Sequence, residues 1–173
     1  MMTKELKIFR KEIFPISLIL ILVFSRLIPH PPNFTPVIAV AIMSGYFFRN
    51  IYFCFATLLA SMFLADMLIG FYENMIFVYL SLLIVASSLY PFSKKINLKN
   101  LFAFGFFGSV IFFLVSNFGF WLLSDLYSKD FSGLIQAYIM GIPFFKNTLI
   151  STLIFSYTTL IVYKTSNKYF VVR

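Results

Sequence analysis

Charged side chains make up only 12% of this chain, and the polar and charged residues that interrupt its apolar segments could bind a ligand or carry a proton. A charged group at the centre of a membrane helix costs roughly 2.5–3.5 kcal/mol on insertion scales, so it normally faces the protein interior or a water-filled cavity. We expect the following residues to gather on one side of a bilayer and form a substrate-binding site: Arg26, His30, Asn33, Asp66, Asn117, Trp121, Lys146 and Asn147.

Three of these residues carry a charge inside or at the edge of an apolar segment: Arg26, Asp66 and Lys146. Asp66 could accept hydrogen bonds from a ligand or carry a coupling proton, and Lys146, beside Asn147, could bind an anionic group. Alternatively, Asp66 forms a structural ion pair with Arg26 or Lys146, because buried charges are normally paired. A lysine that extends its amine to the membrane surface is the other interpretation of Lys146.

Asn117 and Trp121 are four residues apart, so they share a helix face and could offer an amide and a stacking surface to one cavity. Their alternative roles are structural. Asn117 could hydrogen-bond a neighbouring helix, and Trp121 could belong to the aromatic belt at the membrane surface.

The segment Arg26–Pro36 contains the single histidine and four of the seven prolines. Proline fixes φ and lacks a backbone donor, so this segment cannot continue a helix and is expected to form a rigid turn over the site. His30 could contact a ligand or respond to pH, or it could simply be solvated.

Catalysis and metal binding are not expected from these residue types. One cysteine and one histidine exclude an internal disulfide and a multi-histidine metal site. No nucleophile with a paired base and no phosphate-binding glycine loop is present, so we predict no enzyme activity and no cofactor. A small membrane enzyme that uses Asp66 or His30 as an acid or base is the least favoured alternative.

Composition indicates an integral membrane protein of one domain, residues 1–173. Hydrophobic residues make up 61% and charged residues 12% of the chain, whereas charged residues make up about 25% of soluble domains. The net charge of +8 lies at the ends of apolar runs, which indicates orientation in a lipid bilayer and argues against nucleic-acid binding.

The apolar runs predict six transmembrane helices, and polar and proline residues separate them. Several are shorter than the roughly 20 residues that cross about 30 Å of hydrocarbon, so the second and fourth must extend into their flanks or be sheltered. A short interfacial or re-entrant helix over Gly133–Met140 is expected before the last span. The approximate spans are 13–28, 36–48, 51–70, 75–90, 101–123 and 144–163.

Lysine and arginine are concentrated in alternate connections, which by the positive-inside rule places both termini in the cytoplasm. We expect a multi-pass protein of a bacterial inner membrane. Its outer connections are then Arg26–Pro36, Gly70–Asn74 and Ser124–Pro143.

Several motifs resemble those of a bacterial membrane family regarded as transport proteins. They are Arg26-Leu-Ile-Pro-His-Pro-Pro-Asn-Phe-Thr-Pro36, Ala65-Asp66 with Gly70, Asn117-Phe-Gly-x-Trp121, Gly133-Leu134 and Ile142-Pro-Phe-Phe-Lys-Asn147. That family is similar to the substrate-binding S components of energy-coupling-factor vitamin transporters. The resemblance implies six helices, cytoplasmic termini, a small metabolite bound near the outer face by the connections after helices one, three and five, and an ATPase energising module as partner.

S components typically carry an Ala-x-x-x-Ala patch on the first helix for docking to that module. The first helix here lacks such a patch, while Ala56 and Ala60 have this spacing on the third helix, so a solitary carrier is an alternative.

The sequence thus predicts import of a small, vitamin-like organic solute. In this hypothesis Arg26, His30 and Lys146 meet its polar or anionic groups, Asp66 and Asn117 orient it, and Trp121 stacks on it. The alternative is a non-transporting structural membrane subunit in which the polar residues only hold helices together.

Overall fold

The computed structural model describes residue 17 and residues 19–170, and the described chain is helical without a β-strand. The first helix, α1, covers residues 19–27 of the described chain. It is followed by α2 (Val37–Phe48), α3 (Ile51–Ile69), α4 (Met75–Leu89), a short 3₁₀ helix (Tyr90–Lys95), α5 (Leu101–Leu123) and α6 (Phe131–Phe170).

The predicted boundaries of the middle helices are confirmed within a residue or so. Proline and asparagine explain two of the helix boundaries. The segment Pro29–Pro36 stops α1. The Asn50 side chain accepts hydrogen bonds from the backbone N–H groups of Tyr52 and Phe53 at the start of α3. The predicted start of the first helix, at residue 13, lies outside the described residues.

The prediction of a separate short helix over Gly133–Met140 is wrong, because α6 runs without a break from Phe131 and contains Pro143 in its interior. Proline removes only one backbone hydrogen bond, and membrane helices tolerate it where neighbouring helices pack around the site. Gly141, two residues before Pro143, packs closely against Phe113 and Asn117 of α5, which supplies that environment.

Helix α2 is the centre of the bundle, although it has only 12 residues. It contacts α3, α4, α5, α6 and the 3₁₀ helix, and each residue from Val37 to Gly45 is buried. A helix that is apolar on all sides is stable only when it is surrounded. At 1.5 Å per residue, α2 is about 18 Å long, so its neighbours extend past it.

Four described helical segments are long and apolar enough to cross a membrane: Ile51–Ile69, Met75–Lys95, Leu101–Leu123 and Phe131–Thr165. Large apolar side chains such as Leu68 and Phe107 are exposed on their outer surfaces, as lipid-facing residues are. The chain is an all-helical membrane protein.

The connections between helices lie at two ends of the bundle. At one end, the Tyr157 hydroxyl of α6 donates to the backbone oxygen of Leu98, 3.2 Å away, and Gly45 near the end of α2 faces Ser93 and Tyr90 of the 3₁₀ helix. The connections 28–36, 70–74 and 124–130 meet at the opposite end, where they contribute to the cavity described below.

The start of α6 depends on Asp130, whose Oδ1 atom accepts hydrogen bonds from the Gly133 N–H at 2.8 Å and the Ser128 hydroxyl at 2.9 Å. These bonds hold the pKa of Asp130 below its ordinary value, the Gly133 N–H contributing most. A lowered pKa means that the carboxylate stabilises the fold at neutral pH. This contribution is lost as the pH falls from the ordinary aspartate pKa of about 3.9 through the lowered one.

We expect Asp130→Ala to lower the thermal unfolding midpoint of the detergent-purified protein at pH 7, because a helix N-cap is lost. Asp130→Asn, which keeps an acceptor, should retain most of the stability, and Asp125→Ala is the control in the same loop. Equal midpoints for Asp130→Ala and Asp125→Ala would show that Asp130 does not cap α6.

Candidate functional site

A buried charge pair joins the end of α1 to α3. An Nη2 atom of Arg26 lies 2.6 Å from Oδ1 of Asp66, whose side chain is 0% exposed, and that of Arg26 is 14% exposed. The other terminal nitrogen of Arg26 lies 3.5 Å from the backbone oxygen of Met62. The ion-pair interpretation of Asp66 is therefore the one that the structure contains, with Arg26 and not Lys146 as the partner.

Two tyrosines extend this pair to α4 and to the connection before it. The Tyr79 hydroxyl donates to Oδ2 of Asp66 at 2.6 Å, so both carboxylate oxygens of Asp66 have a polar neighbour. In the connection, partial burial raises the pKa of Tyr72 to about 12, and the nearby charge of Asp66 adds to the rise while that of Arg26 opposes it. Tyr72 thus keeps a neutral hydroxyl beside Arg26 at physiological pH.

A partly open cavity of about 710 Å³ lies next to this charge pair, within the usual range of small-molecule sites. Residues Val37 and Ile38 at the start of α2 form part of its wall, and α1, α3, α4, α5, α6 and three connections supply the rest. Most of the lining is apolar. Its polar members are Arg26, His30, Asn33, Thr35, Tyr72, Asn74, Ser116, Asn117, Tyr127 and Thr148.

Four of the residues predicted to bind a substrate line this cavity: Arg26, His30, Asn33 and Asn117. The structure thus brings together side chains from α1, the proline-rich segment and α5. The other four, Asp66, Trp121, Lys146 and Asn147, are not part of the described lining.

Trp121, near the end of α5, contacts the connection that leads to α6. Its Nε1–H donates to the Ser128 backbone oxygen at 2.9 Å, and its ring contacts Phe118. The Lys129 amine donates to the backbone oxygens of Trp121 and Ser124, which satisfies carbonyls at the end of α5. This indole is held by its own loop and has a structural role.

Lys146 and Asn147 were expected at the head of the last helix, but they lie about four turns into α6 because that helix begins at Phe131. Lys146 is exposed. The Asn147 amide donates to the backbone oxygen of Pro32 at 3.0 Å, so it fastens the proline-rich segment to α6.

Sequence reasoning missed several lining residues, among them Tyr72, Asn74, Ser116 and Thr148. Asn74 is the most informative, because its amide nitrogen donates to the Ser116 backbone oxygen at 3.1 Å while its Oδ1 atom is buried without a partner. An unpaired buried acceptor costs roughly 1–3 kcal/mol. Its position in a short connection between two apolar segments was the one available signal.

Gly141 allows α6 to approach Asn117 closely. A Cβ atom at this position would collide with Oδ1 of Asn117 and would lie 2.9 Å from the Phe113 ring. Gly141 therefore makes room for a polar side chain at the cavity. Among the described residues, no group of three or more His, Cys, Asp or Glu side chains could hold a metal ion.

The fold and the site define a small all-helical membrane protein with a mainly apolar cavity at one end of the bundle. A family model described as a family of unknown function (DUF6580) matches residues 7–172, so the chain belongs to this family. No curated protein and no solved structure matches the chain.

We expect Arg26→Gln to lower the free energy of unfolding by roughly 3–5 kcal/mol, because the buried Asp66 carboxylate loses its counter-charge. The double variant Arg26→Met with Asp66→Leu should recover much of this loss, since no charge is then left alone. Thermal unfolding in detergent measures both, with the exposed Arg49→Gln as control. A loss no larger than that of Arg49→Gln would contradict the role of the pair.

Proposed function

We propose that this protein binds a small organic solute in the cavity and carries it across a bacterial inner membrane, as the S components of energy-coupling-factor transporters do. The observation that supports the proposal best is the cavity itself. A subunit whose polar residues only held helices together would have those side chains paired and the space between them filled.

The distribution of polar contacts supports the same proposal. Asp66, Trp121 and Asn147 bond groups in other parts of the chain and lie outside the lining. His30, Asn33 and Asn117 line the cavity, where His30 and Asn117 bond only backbone oxygens of their own segments. A site formed by one turn after α1, one after α3 and one after α5 is the arrangement that the resemblance implies.

We further propose six membrane spans, with α1 and the short α2 included and both termini in the cytoplasm. The basic residues Arg49, Lys94, Lys95 and Lys99 lie in the connections away from the cavity, so the cavity then opens toward the outside. An ATPase module would supply the energy, with a solitary carrier as the alternative mode.

A thermal-shift screen of the purified protein against vitamins, their precursors and other metabolites tests solute binding. A compound that binds only the folded state at 100 times its dissociation constant adds about 2.7 kcal/mol to stability. Ala137→Leu, which places a larger side chain on the wall of the cavity, should abolish the shift, while Ala56→Leu on the exposed face of α3 should preserve it.

The structural-subunit hypothesis makes the opposite prediction for these proteins. In that case no compound raises the unfolding midpoint of the native chain. The larger side chain of Ala137→Leu should then raise stability, because it occupies space that nothing else uses.

Orientation can be tested with single cysteines, since Cys54 is the one cysteine of the chain. In a Cys54→Ala background, we expect Glu73→Cys to react with a membrane-impermeant maleimide on intact cells. Leu98→Cys, at the opposite end of the bundle and also exposed, should react only after permeabilisation. The reverse labelling pattern would show that the cavity opens toward the cytoplasm.

A further inference from the structure

The polar side chains of the cavity wall share an orientation that is common for serine and threonine in helices. The Ser116 hydroxyl donates to the Phe112 backbone oxygen at 2.7 Å, and the Asn117 amide nitrogen donates to the Phe113 backbone oxygen at 2.8 Å. Because a carbonyl can only accept, each side chain must turn its donor toward its own helix. The oxygen of each side chain then has acceptor capacity left for another partner, and the Asn117 amide also keeps a second N–H.

Thr148 on α6 repeats this pattern, since its hydroxyl donates to the Phe144 backbone oxygen at 2.9 Å. Asn74 donates to the Ser116 backbone oxygen, and its own Oδ1 atom is buried without a partner. Side chains from the α3–α4 connection, α5 and α6 therefore carry oxygens with spare acceptor capacity beside the cavity, and each asparagine also keeps one N–H.

His30 adds a further acceptor at the mouth. Its Nδ1 atom lies 2.8 Å from the backbone oxygen of Pro31, and this contact requires a hydrogen on Nδ1. In the neutral ring, Nε2 is then the acceptor.

The charges near the cavity do not favour an anion. Among the lining residues that the structure describes, Arg26 is the one with a fixed charge, and Asp66 compensates it at 2.6 Å. Lys146 lies outside the described lining. A carboxylate that entered this space would lose part of its hydration without gaining an uncompensated positive charge, which disfavours binding.

We propose that the cavity selects an uncharged solute whose polar groups are hydrogen-bond donors, such as a primary amide, a ring N–H or a hydroxyl group, carried on an apolar or aromatic body. The inference rests on the proposed function and specifies its substrate class. The hydroxyls of Thr35, Tyr72 and Tyr127 can donate or accept, so they can serve a carbonyl of the same solute.

The experiment compares matched compounds that differ only in donors and charge. Each set contains a primary amide, its N,N-dimethyl derivative and the corresponding carboxylate, on naphthalene, indole, pyridine and cyclohexane scaffolds. Dissociation constants come from thermal-shift titrations of the full-length protein in detergent. We expect the primary amide to bind about tenfold or more tightly than both analogues on the scaffold that fits best, because its N–H groups pair with the free acceptors.

Two variants test the residues that carry the inference. Asn117→Leu and Thr148→Val each remove one acceptor, so each should weaken binding of the primary amide several-fold and leave the dimethyl amide unaffected. Ser151→Ala is the matched control, because Ser151 is buried on the same helix and bonds the Thr148 backbone oxygen without lining the cavity. An amide affinity that is unchanged in both acceptor variants would overturn the assignment.

The remaining outcomes separate this inference from the proposed function. If a carboxylate or a dimethyl amide binds as tightly as the primary amide, the donor-selective cavity is overturned while solute binding stands. If no compound of any set shifts the unfolding midpoint at millimolar concentration, and the metabolite screen is also negative, both proposals are overturned.

Discussion

Neither Arg26 nor Asp66 could be buried alone in this bundle, because removing a single charge from water costs several kcal/mol even after the protein relaxes. Their pairing therefore dictates how the end of α1 meets α3. The Tyr79 hydroxyl joins α4 to the same carboxylate. One interaction thus fixes the relative positions of three helices on one side of the cavity, and it also cancels the charge that would otherwise dominate the site.

The second constraint is the length of α2. A helix of 12 residues is about 18 Å long, which is shorter than the roughly 30 Å of hydrocarbon in a bilayer. Its apolar residues need protein on all sides, and the longer helices provide it. Before the start of α2, the space between those helices forms the cavity, with Val37 and Ile38 at its wall. The proline-rich segment that precedes α2 borders this space, and Asn147 holds it there.

The opposite wall is built by α5 and α6, whose short connection is held by its own polar residues. The Lys129 amine donates to a backbone oxygen at the end of α5, and the Asp130 carboxylate caps the start of α6. The Trp121 indole N–H donates to a backbone oxygen of the loop between the two helices. Helix α6 begins directly after this connection, at Phe131, and continues through Pro143. Thr148 on α6 and Asn117 on α5 therefore both line the cavity. Asp66, Trp121 and Asn147, which were predicted to bind the substrate, therefore hold parts of the protein together. Less conspicuous serine, threonine and asparagine side chains form much of the polar surface of the cavity.

By itself the sequence determined the membrane class, the boundaries of the middle helices and the participation of Arg26, His30, Asn33 and Asn117 in the lining, because hydrophobic runs, prolines and isolated polar groups are local signals. Only the tertiary structure decided that Asp66 pairs with Arg26, that Trp121 belongs to its own loop, and that α6 is one helix. Those outcomes depend on which side chains meet across the bundle. A single proline can be accommodated, and a lone charge satisfied, only by neighbours that are distant in the chain.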